Sequence, residues 1–356
     1  MLSPLPPNFS ISAIVPVYNG GEHFRRSLSS LVEAKPPPDE IIIVADGETD
    51  GSSLAAERLG MRVLRLPIPT GPAHARNVGA QEAKGNILFF MDADVVLPPN
   101  AIEQMISTFR QDPGLAALFG SYDDEPGENN FLSQYKNLFH HYVHQTADRE
   151  ASTFWGACGA IRRDLFITLG GFDERYRKPS IEDVELGYRI RHAGHRICLC
   201  KGLQVKHLKR WEVLSLIKSD FFHRALPWTA LILRDRRFIN DLNLRFSSRI
   251  SVILTYGLIG ALIGASGWSG TFAIASILAL LLLIINQPIY KFFLRKRGFW
   301  FMMGTIPWHW LYFSYSGLAF VAGVTRFLLF GGKPQKLCLS GVSRGLSEST
   351  QYREGH

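Results

Sequence analysis

The last third of the chain carries long stretches without charged side chains, and these stretches limit what the sequence can fold into. No Asp, Glu, Lys or Arg occurs between residues 251 and 290, and a second uncharged stretch runs from 299 to 325. A helix needs about 20 mostly apolar residues to span a bilayer. Two or three helices of this kind would overwhelm the core of a small soluble domain, so we expect a membrane region.

The apolar stretches predict transmembrane helices at about 250–268, 271–290 and 309–329. The first two are separated by the short turn SGWSGT and form a hairpin, which returns the chain to its starting side. The basic cluster at 291–297 then joins the arginines between 234 and 249 on one side, and the positive-inside rule makes that side cytoplasmic. The last stretch leaves two alternatives. A span would export a tail with Lys333, Lys336 and Arg344, whereas a re-entrant or interfacial segment would keep the tail inside.

The basic residues indicate a lipid surface as a partner. The formal net charge is +8, which is compatible with binding either nucleic acid or anionic lipid. Much of the excess flanks the apolar stretches, and this position favours anionic lipid headgroups over nucleic acid. We therefore expect a multi-pass protein of the cell (inner) membrane with a cytoplasmic catalytic domain, and no nucleic-acid partner.

The first part of the chain reads as an α/β domain. Between residues 11 and 118, short β-branched runs alternate with helix-like segments, which is typical of a mostly parallel central sheet flanked by helices. The strands are expected at ISAIVPV, EIIIVAD, MRVLRL and NILFFMD. In such sheets, ligands bind at the carboxyl edge of the strands. The predicted organisation is a cytosolic domain at 1–240, a membrane region at 241–330 and a polar tail at 331–356.

A pair of carboxylates follows a buried strand at this edge. Asp92 and Asp94, on either side of Ala93, come directly after the apolar run ILFFM. Two carboxylates at the end of a buried strand need a cation, and hard divalent ions complete their coordination shell with substrate phosphates. The pair therefore predicts Mg²⁺ or Mn²⁺ bound to a diphosphate.

Other polar residues follow the neighbouring strands. The segment PVYNG at the end of the first strand shapes a slot for a flat base, and Asp46 at the end of the second can accept a hydrogen bond from that base. On the next helix, Arg76 is placed to reach a nucleotide. Pro16, Tyr18, Asp46 and Arg76 are therefore candidate nucleotide contacts.

Two further acids open a helix in the segment SIEDVELGYRI. The helix dipole stabilises carboxylates in a first turn, and this effect alone can account for Glu182 and Asp183. Asp183 also suits a general base that takes a proton from an attacking hydroxyl group.

The motifs IVPVYNG, VADGETDGS, GPAHARNVG, FFMDADV, GGFDE and IEDVELGYRI, in this order, resemble the family 2 glycosyltransferases over roughly residues 10–210. The resemblance implies a GT-A nucleotide-sugar-binding fold and an inverting transfer from a nucleoside-diphosphate sugar to a lipid-linked or glycan acceptor. It implies nucleotide-sugar contacts at Pro16, Val17, Tyr18, Asn19, Asp46, Arg76, Asp92 and Ala93. It implies Asp94 as the main metal ligand, Asp183 as the catalytic base, Glu182 on the acceptor side and His207 as a further metal ligand or diphosphate contact.

Two positions depart from the family pattern. Ala45 stands where a second acid is common, which leaves Asp46 alone to contact the base. Processive synthases of the family carry QxxRW, whereas His207 stands in the glutamine place before Arg210 and Trp211. We therefore expect transfer of one sugar, with Arg210 and Trp211 as diphosphate and acceptor contacts. The alternatives are a processive polysaccharide synthase, a non-catalytic membrane protein with this fold, and a nucleotidyltransferase or dinucleotide-binding enzyme.

Overall fold

The computed structural model describes residues 4–235 and 242–330. The predicted boundary at 240/241 and the predicted tail at 331–356 lie outside the described residues. Nine strands form one sheet: β1 Ile11–Val17, β2 Glu40–Asp46, β3 Arg62–Leu66, β4 Ile87–Met91, β5 Val95–Val96, β6 Leu115–Tyr122, β7 Glu150–Ala151, β8 Cys158–Arg162 and β9 Arg196–His207.

The helices fall into two groups. Those of the first group connect or follow the strands: α1 Gly21–Val32, α2 Ser52–Arg58, α3 Pro72–Glu82, α4 Ala101–Gln111, α5 Phe131–Thr146, α6 Arg163–Thr168 and α7 Glu182–His192. The second group follows the sheet: α8 Val213–Lys218, a π-helix Ser219–Ala225, α9 Leu226–Asp235, a 3-10 helix Leu242–Leu244, α10 Phe246–Gly264, α11 Thr271–Ile285, α12 Gln287–Arg297 and α13 Phe299–Phe330.

The sheet is parallel in one half and mixed in the other. The strand order is β3-β2-β1-β4-β8-β6-β9-β5, with β7 paired to β9. The strands β3, β2, β1 and β4 run parallel, β8 is antiparallel to both β4 and β6, and β6 is parallel to β9. The α/β class is confirmed, and the parallel arrangement holds for the strands on which the prediction was based. The antiparallel β8 lay outside that pattern.

Both faces of the sheet are covered by apolar cores. One core contains Phe24 and Leu28 of α1 with Met105 and Phe109 of α4. The other contains alanines of α3 and residues of α6 and α7, including Leu186. Strands buried on both faces read as continuous apolar runs, which is why the sequence places β1 to β4 within one residue of their observed bounds.

The C-terminal helices agree only in part with the predicted spans. The helix α10 and residues 299–329 of α13 are each long and apolar enough to cross a membrane. The predicted span at 271–290 is instead a pair, α11 and α12, bent by 65°. The bend lies at Asn286, whose side-chain amide donates to Ser251 Oγ at 2.9 Å and to the Leu282 carbonyl. The helix α13 is longer than predicted because it continues through Pro307.

The helices α12 and α13 lie against the α/β domain through α5. Tyr135 and Phe139 of α5 form an apolar cluster with Ile289, Tyr290 and Phe293 of α12. A buried polar contact crosses the same region: Lys136 Nζ donates to both carboxylate oxygens of Asp220 at 2.7 Å, and Tyr315 OH donates to Asp220 Oδ2 at 2.7 Å. Asp220 thus joins α5, the π-helix and α13.

Replacing Asp220 with Leu is expected to lower the free energy of unfolding by about 3 kcal/mol, because the buried Lys136 ammonium loses its counter-charge. Replacing Tyr315 with Phe removes one hydrogen bond and should cost about 1 kcal/mol. Denaturant unfolding of the full chain in detergent micelles would measure both. Equal losses of unfolding free energy in the two variants would contradict the view that Asp220 mainly compensates the charge of Lys136.

Candidate active site

The ends of β1 and β2 form one side of a cleft at the carboxyl edge of the sheet. Val17 is buried in the core, so the side chain lies away from the surface of the cleft, whereas Pro16 is half-buried and Tyr18 is 58% exposed. Asn19 Oδ1 accepts a hydrogen bond from the backbone N–H of Thr49 at 2.7 Å. Tyr18 is therefore the residue of this segment that presents the largest side chain to solvent.

Asp46 is buried and holds the loop that precedes α3. Its Oδ1 accepts from the Thr70 backbone and hydroxyl, both at 2.7 Å, and its Oδ2 accepts from the Gly71 N–H at 2.8 Å. Gly71 has a φ of 102°, and a Cβ there would lie 2.3 Å from the Arg177 carbonyl oxygen. The predicted base contact of Asp46 would use a carboxylate that already fixes this loop.

Arg76 joins the two sides of the cleft. Its guanidinium donates to Glu182 Oε1 at 2.9 Å and to Asp92 Oδ1 at 2.6 Å, and it lies over the Phe172 ring at 5.4 Å. Arg76 and Glu182 are both buried, and the other Glu182 oxygen accepts from the Ser180 N–H. Glu182 thus positions Arg76 in this structure, and its role on the acceptor side stays a prediction.

Asp183 follows Glu182 at the start of α7 and faces the loop around Gly156. Its Oδ2 accepts from the Gly156 N–H at 3.0 Å and its Oδ1 from the Val184 N–H at 2.8 Å. Burial, followed by repulsion from Glu182, raises the pKa of Asp183 to about 6, and these two N–H donors and Arg76 only partly oppose the rise. A carboxylate with a raised pKa in a cleft is suited to proton transfer near neutral pH.

A glycine in α7 allows this close approach. A Cβ on Gly187 would lie 2.2 Å from the backbone nitrogen of Phe154. Any larger residue would push α7 away from the 153–156 loop and would move Asp183 from Gly156.

Asp94 faces His207 across a bridge between β5 and β9. Val95, the next residue, pairs with His207, and the Leu208 N–H donates to the Asp94 carbonyl. Asp94 Oδ2 and His207 Nε2 are 3.6 Å apart. Burial alone would raise the pKa of Asp94, but the facing His207 and the nearby Lys209 lower it to about 2.

The separation of Asp94 and His207 fits two ligands of one cation. Adjacent ligands of an ion bound at about 2.1 Å lie ~3.0 Å apart, so Asp94 and His207, 3.6 Å apart, would move ~0.6 Å closer to bind one ion together. Asp92 Oδ1 is bound to Arg76, and Oδ2 accepts no hydrogen bond from the described residues. No preformed cluster of three His, Cys, Asp or Glu ligands occurs in residues 4–235 and 242–330, so the predicted trio of Asp92, Asp94 and His207 is incomplete by itself.

An aromatic residue that the sequence analysis missed, Tyr122, lies in the cleft behind Asp94. The Tyr122 ring stacks on His207 at 4.3 Å and meets Trp155 edge-on at 4.7 Å. Burial is the main cause that raises the pKa of the Tyr122 hydroxyl, and Asp94, Asp92 and Asp183 act in the same direction. Tyr122 therefore lies within the field of all three carboxylates. Its position at the end of β6 was the available signal, because the other cleft residues also follow strand ends.

Arg210 and Trp211 occupy different environments. Arg210 is exposed and lies 3.4 Å from Glu128. Trp211 is only 4% exposed and packs with Leu132 and Leu216, so its ring does not face a ligand surface as predicted. Half-buried Ala93 packs against the sheet core.

The cleft thus brings Asp92, Asp183, Arg76 and Glu182 into one connected set, with Asp94 and His207 beside it through Tyr122. Asp46 stands at the opposite side, where its contacts run to residues 70–71. The ends of β2, β4, β6 and β9, the helix α3 and the α7 N-terminus supply these side chains.

Two family models match the chain. The model described as Glycosyl transferase family 2 matches residues 12–170. The model described as N-terminal domain of galactosyltransferase matches residues 137–212. Together these matches run from β1 through β9 and cover the acids of the cleft.

Curated relatives align with the same region. The pre-mycofactocin glycosyltransferase of Mycobacterium tuberculosis is 26% identical over 236 residues, which are 63% of this chain and 46% of that protein. The O-antigen chain rhamnosyltransferase RfbN of Salmonella typhimurium is 24% identical over 234 residues, which are 61% of this chain and 74% of that protein. The chain therefore spans about half the length of the mycobacterial relative.

A solved structure shares the fold. The mannosyltransferase PcManGT from Pyrobaculum calidifontis, in complex with GDP-Man and Mn²⁺, matches with a TM-score of 0.61 and 19% sequence identity. The match covers 90% of this chain and 89% of that chain. The predicted GT-A fold is confirmed.

Proposed function

We propose that this chain, a member of the family 2 glycosyltransferases, transfers one sugar from a nucleoside-diphosphate sugar to a lipid-linked or membrane-proximal acceptor. The arrangement around Arg76 is the main support. Arg76 ties Asp92, at the end of β4, to Glu182, beside Asp183. Arg76 thereby holds two kinds of group on opposite sides of one cleft. One is a carboxylate pair suited to a metal-bound diphosphate, and the other is a carboxylate suited to act as a base.

Asp94 and His207, with the free oxygen of Asp92, are the residues that would hold Mg²⁺ or Mn²⁺. Carboxylate and imidazole donors suit such an ion when substrate phosphates complete the shell, and the related fold of PcManGT was solved with Mn²⁺ and GDP-Man. When bound, the ion supplies Lewis acidity to the leaving diphosphate.

Asp183 acts as the base in this proposal. The acceptor hydroxyl gives its proton to Asp183 while its oxygen bonds to the anomeric carbon. The bond from that carbon to the diphosphate oxygen breaks, and the electron pair leaves on the nucleoside diphosphate. Attack from the face opposite the leaving group inverts the anomeric centre. The Gly156 N–H and the Val184 N–H hold the Asp183 carboxylate in place.

The helices that follow the sheet favour an acceptor held at a membrane. Two helices, α10 and α13, have the length and composition of membrane spans, and the bent pair α11 and α12 adds a third if it is one broken span. We propose a GT-A domain up to about residue 240 on the cytoplasmic side of the cell membrane, followed by a membrane region. The basic cluster at 291–297 would then face anionic lipid on that side.

The direct test is transfer by the purified full chain in detergent. Nucleoside-diphosphate sugars would be offered in turn with Mn²⁺ and a lipid extract, and release of nucleoside diphosphate and the anomeric configuration of the product would be measured by NMR. We expect one donor to be consumed, with an inverted product that carries a single added sugar. A retained configuration would contradict the mechanism, longer chains would favour a processive synthase, and no turnover with any donor would favour a non-catalytic protein.

A further inference from the structure

The π-helix that precedes α9 carries an arginine for which the proposed mechanism has no role. Arg224 is half-buried, and no carboxylate of the described residues lies within salt-bridge distance of it. One of its Nη atoms lies 2.9 Å from His140 Nε2. Burial, followed by the nearby Arg224 charge, holds the pKa of His140 well below its usual range. His140 is therefore neutral and accepts this hydrogen bond, and the Asp220 carboxylate, whose charge interacts with Arg224, is held by Lys136 and Tyr315.

Arg224 lies at the end of a row of rings that leads to the cleft. His140 contacts Tyr122 at 5.8 Å between ring centroids, and Tyr122 stacks on His207 at 4.3 Å. Arg224 is thus connected through the rings of His140 and Tyr122 to His207, one of the proposed metal ligands.

The segment that holds Arg224 is fixed in place. Asp220, four residues earlier, is bound by Lys136 and Tyr315, and Thr229 of α9 packs closely on Gly323 of α13. π-helices are rare and are frequent at functional sites. Here the π-helix lies between the sheet domain and α13, so it holds Arg224 where an acceptor coming from the membrane would meet the cleft.

Arg76, the buried arginine of the cleft, already has two carboxylate partners. Arg76 donates to both Asp92 and Glu182, whereas Arg224 Nε and its second Nη donate to no acceptor in the described residues. A second cation, exposed Lys209, follows His207 by two positions and lies over the Trp211 ring at 4.4 Å. A forked guanidinium with free donors suits the oxygens of a phosphate group.

We propose that Arg224, assisted by Lys209, binds a phosphate group of a substrate at the membrane side of the cleft. The proposal rests on the proposed function, which supplies two sources of that phosphate: the diphosphate of the sugar donor and a phosphate carried by an amphiphilic acceptor. Both bring the same oxygens, so binding experiments with separate probes distinguish them.

The test compares Arg224→Gln with the wild-type full chain in detergent. Donor-side probes are GDP and UDP with Mn²⁺, each against its nucleoside; the acceptor-side probe is farnesyl phosphate against farnesol. Loss of a charge-assisted hydrogen bond should weaken binding of one phosphate probe by about ten- to a hundredfold and leave the phosphate-free partner unchanged. The probe that is affected identifies the source. Arg110→Gln, which changes an exposed arginine of α4, is the matched control.

A second measurement needs no variant and covers the case in which Arg224→Gln does not fold. Phenylglyoxal modifies accessible arginines, and peptide mapping of the wild-type chain would follow Arg224. We expect GDP, UDP or farnesyl phosphate to slow this modification at least about fivefold, at concentrations near saturation. The proposal is overturned if Arg224→Gln binds all three within twofold of wild type, or if none of them slows the modification.

These readouts report binding and not turnover. A wild-type chain that transfers no sugar but binds a phosphate probe through Arg224 would contradict the proposed function and leave the anion site in place. If the Arg224→Gln chain transfers sugar normally and binds every probe as wild type does, the anion site is contradicted and the proposed function stays in place.

Discussion

An Asp183→Asn protein is expected to transfer sugar about a thousandfold more slowly than wild type while it binds the donor with nearly unchanged affinity. A positioned general base contributes roughly 10² to 10⁴ to the rate, and Asn has the same size but cannot take the proton. The donor contacts lie on the other side of Arg76. Steady-state transfer kinetics and thermal stabilisation by the donor with Mn²⁺ would measure the two effects separately.

Asp164→Asn is a matched control for this variant. Asp164 stands at the start of α6, is exposed, and accepts from the N–H of the next residue at 2.8 Å, as Asp183 does. It lies outside the cleft, so its replacement should leave transfer unchanged. If Asp183→Asn transferred sugar at a rate close to that of Asp164→Asn, another group would have to be the base.

The pH dependence gives an independent test of the same residue. Burial and Glu182 raise the pKa of Asp183 to about 6, and the base must be ionised to act. The value of kcat/KM, which reports the free enzyme, should therefore be level above pH 6 and fall about tenfold per unit well below it. The residual activity of Asp183→Asn should lack this acid limb. An unchanged acid limb in that variant would assign the limb to a different group.

The sequence allows the α/β part to be predicted closely because its signals are local. Each βα unit combines a continuous apolar run with a helix-like segment, and the predicted bounds of β1 to β4 lie within one residue of those observed. The acids at the strand ends could also be placed at one edge, because parallel strands bring their carboxyl ends together. The resemblance to a known family added their order along the chain.

The partners of these side chains could not be predicted, because they depend on contacts between distant segments. Asp46 looked like a free acceptor, but it fixes the loop at Thr70, and Glu182 looked like an acceptor contact, but it binds Arg76. Trp211 is in a polar segment of sequence and is nevertheless buried under α13, near Trp308. None of these contacts produces a periodic or compositional pattern in the sequence.

The membrane region shows the same limit. The run from 271 to 290 has no charged residue and reads as one helix, whereas Asn286 ends α11 and the chain turns by 65°. A single amide in an apolar run is compatible with a straight helix. It becomes a break here because α10 offers Ser251 Oγ as a hydrogen-bond partner, a contact that hydropathy does not encode. Arg224 and His140 escaped notice for a related reason, since each is isolated in sequence.

The variant Asp94→Ala is expected to abolish the effect of metal on donor binding. If the wild-type chain is given nucleoside diphosphate at about 100 times its Kd with Mn²⁺, binding should add about 2.7 kcal/mol to the stability of the folded state, and EDTA should remove most of this. In Asp94→Ala the melting temperature with nucleoside diphosphate should be the same with Mn²⁺ and with EDTA.

Transfer by Asp94→Ala should fall by about 10² to 10³, since Lewis-acid stabilisation of a leaving diphosphate is worth several kcal/mol. Asp112→Asn, which removes a partly exposed carboxylate paired with Arg196, controls for loss of a negative charge elsewhere and should keep the Mn²⁺ response. His207→Gln should weaken the response less, because Asp94 supplies the charged ligand and His207 a neutral one. A full Mn²⁺ response in Asp94→Ala would place the metal elsewhere.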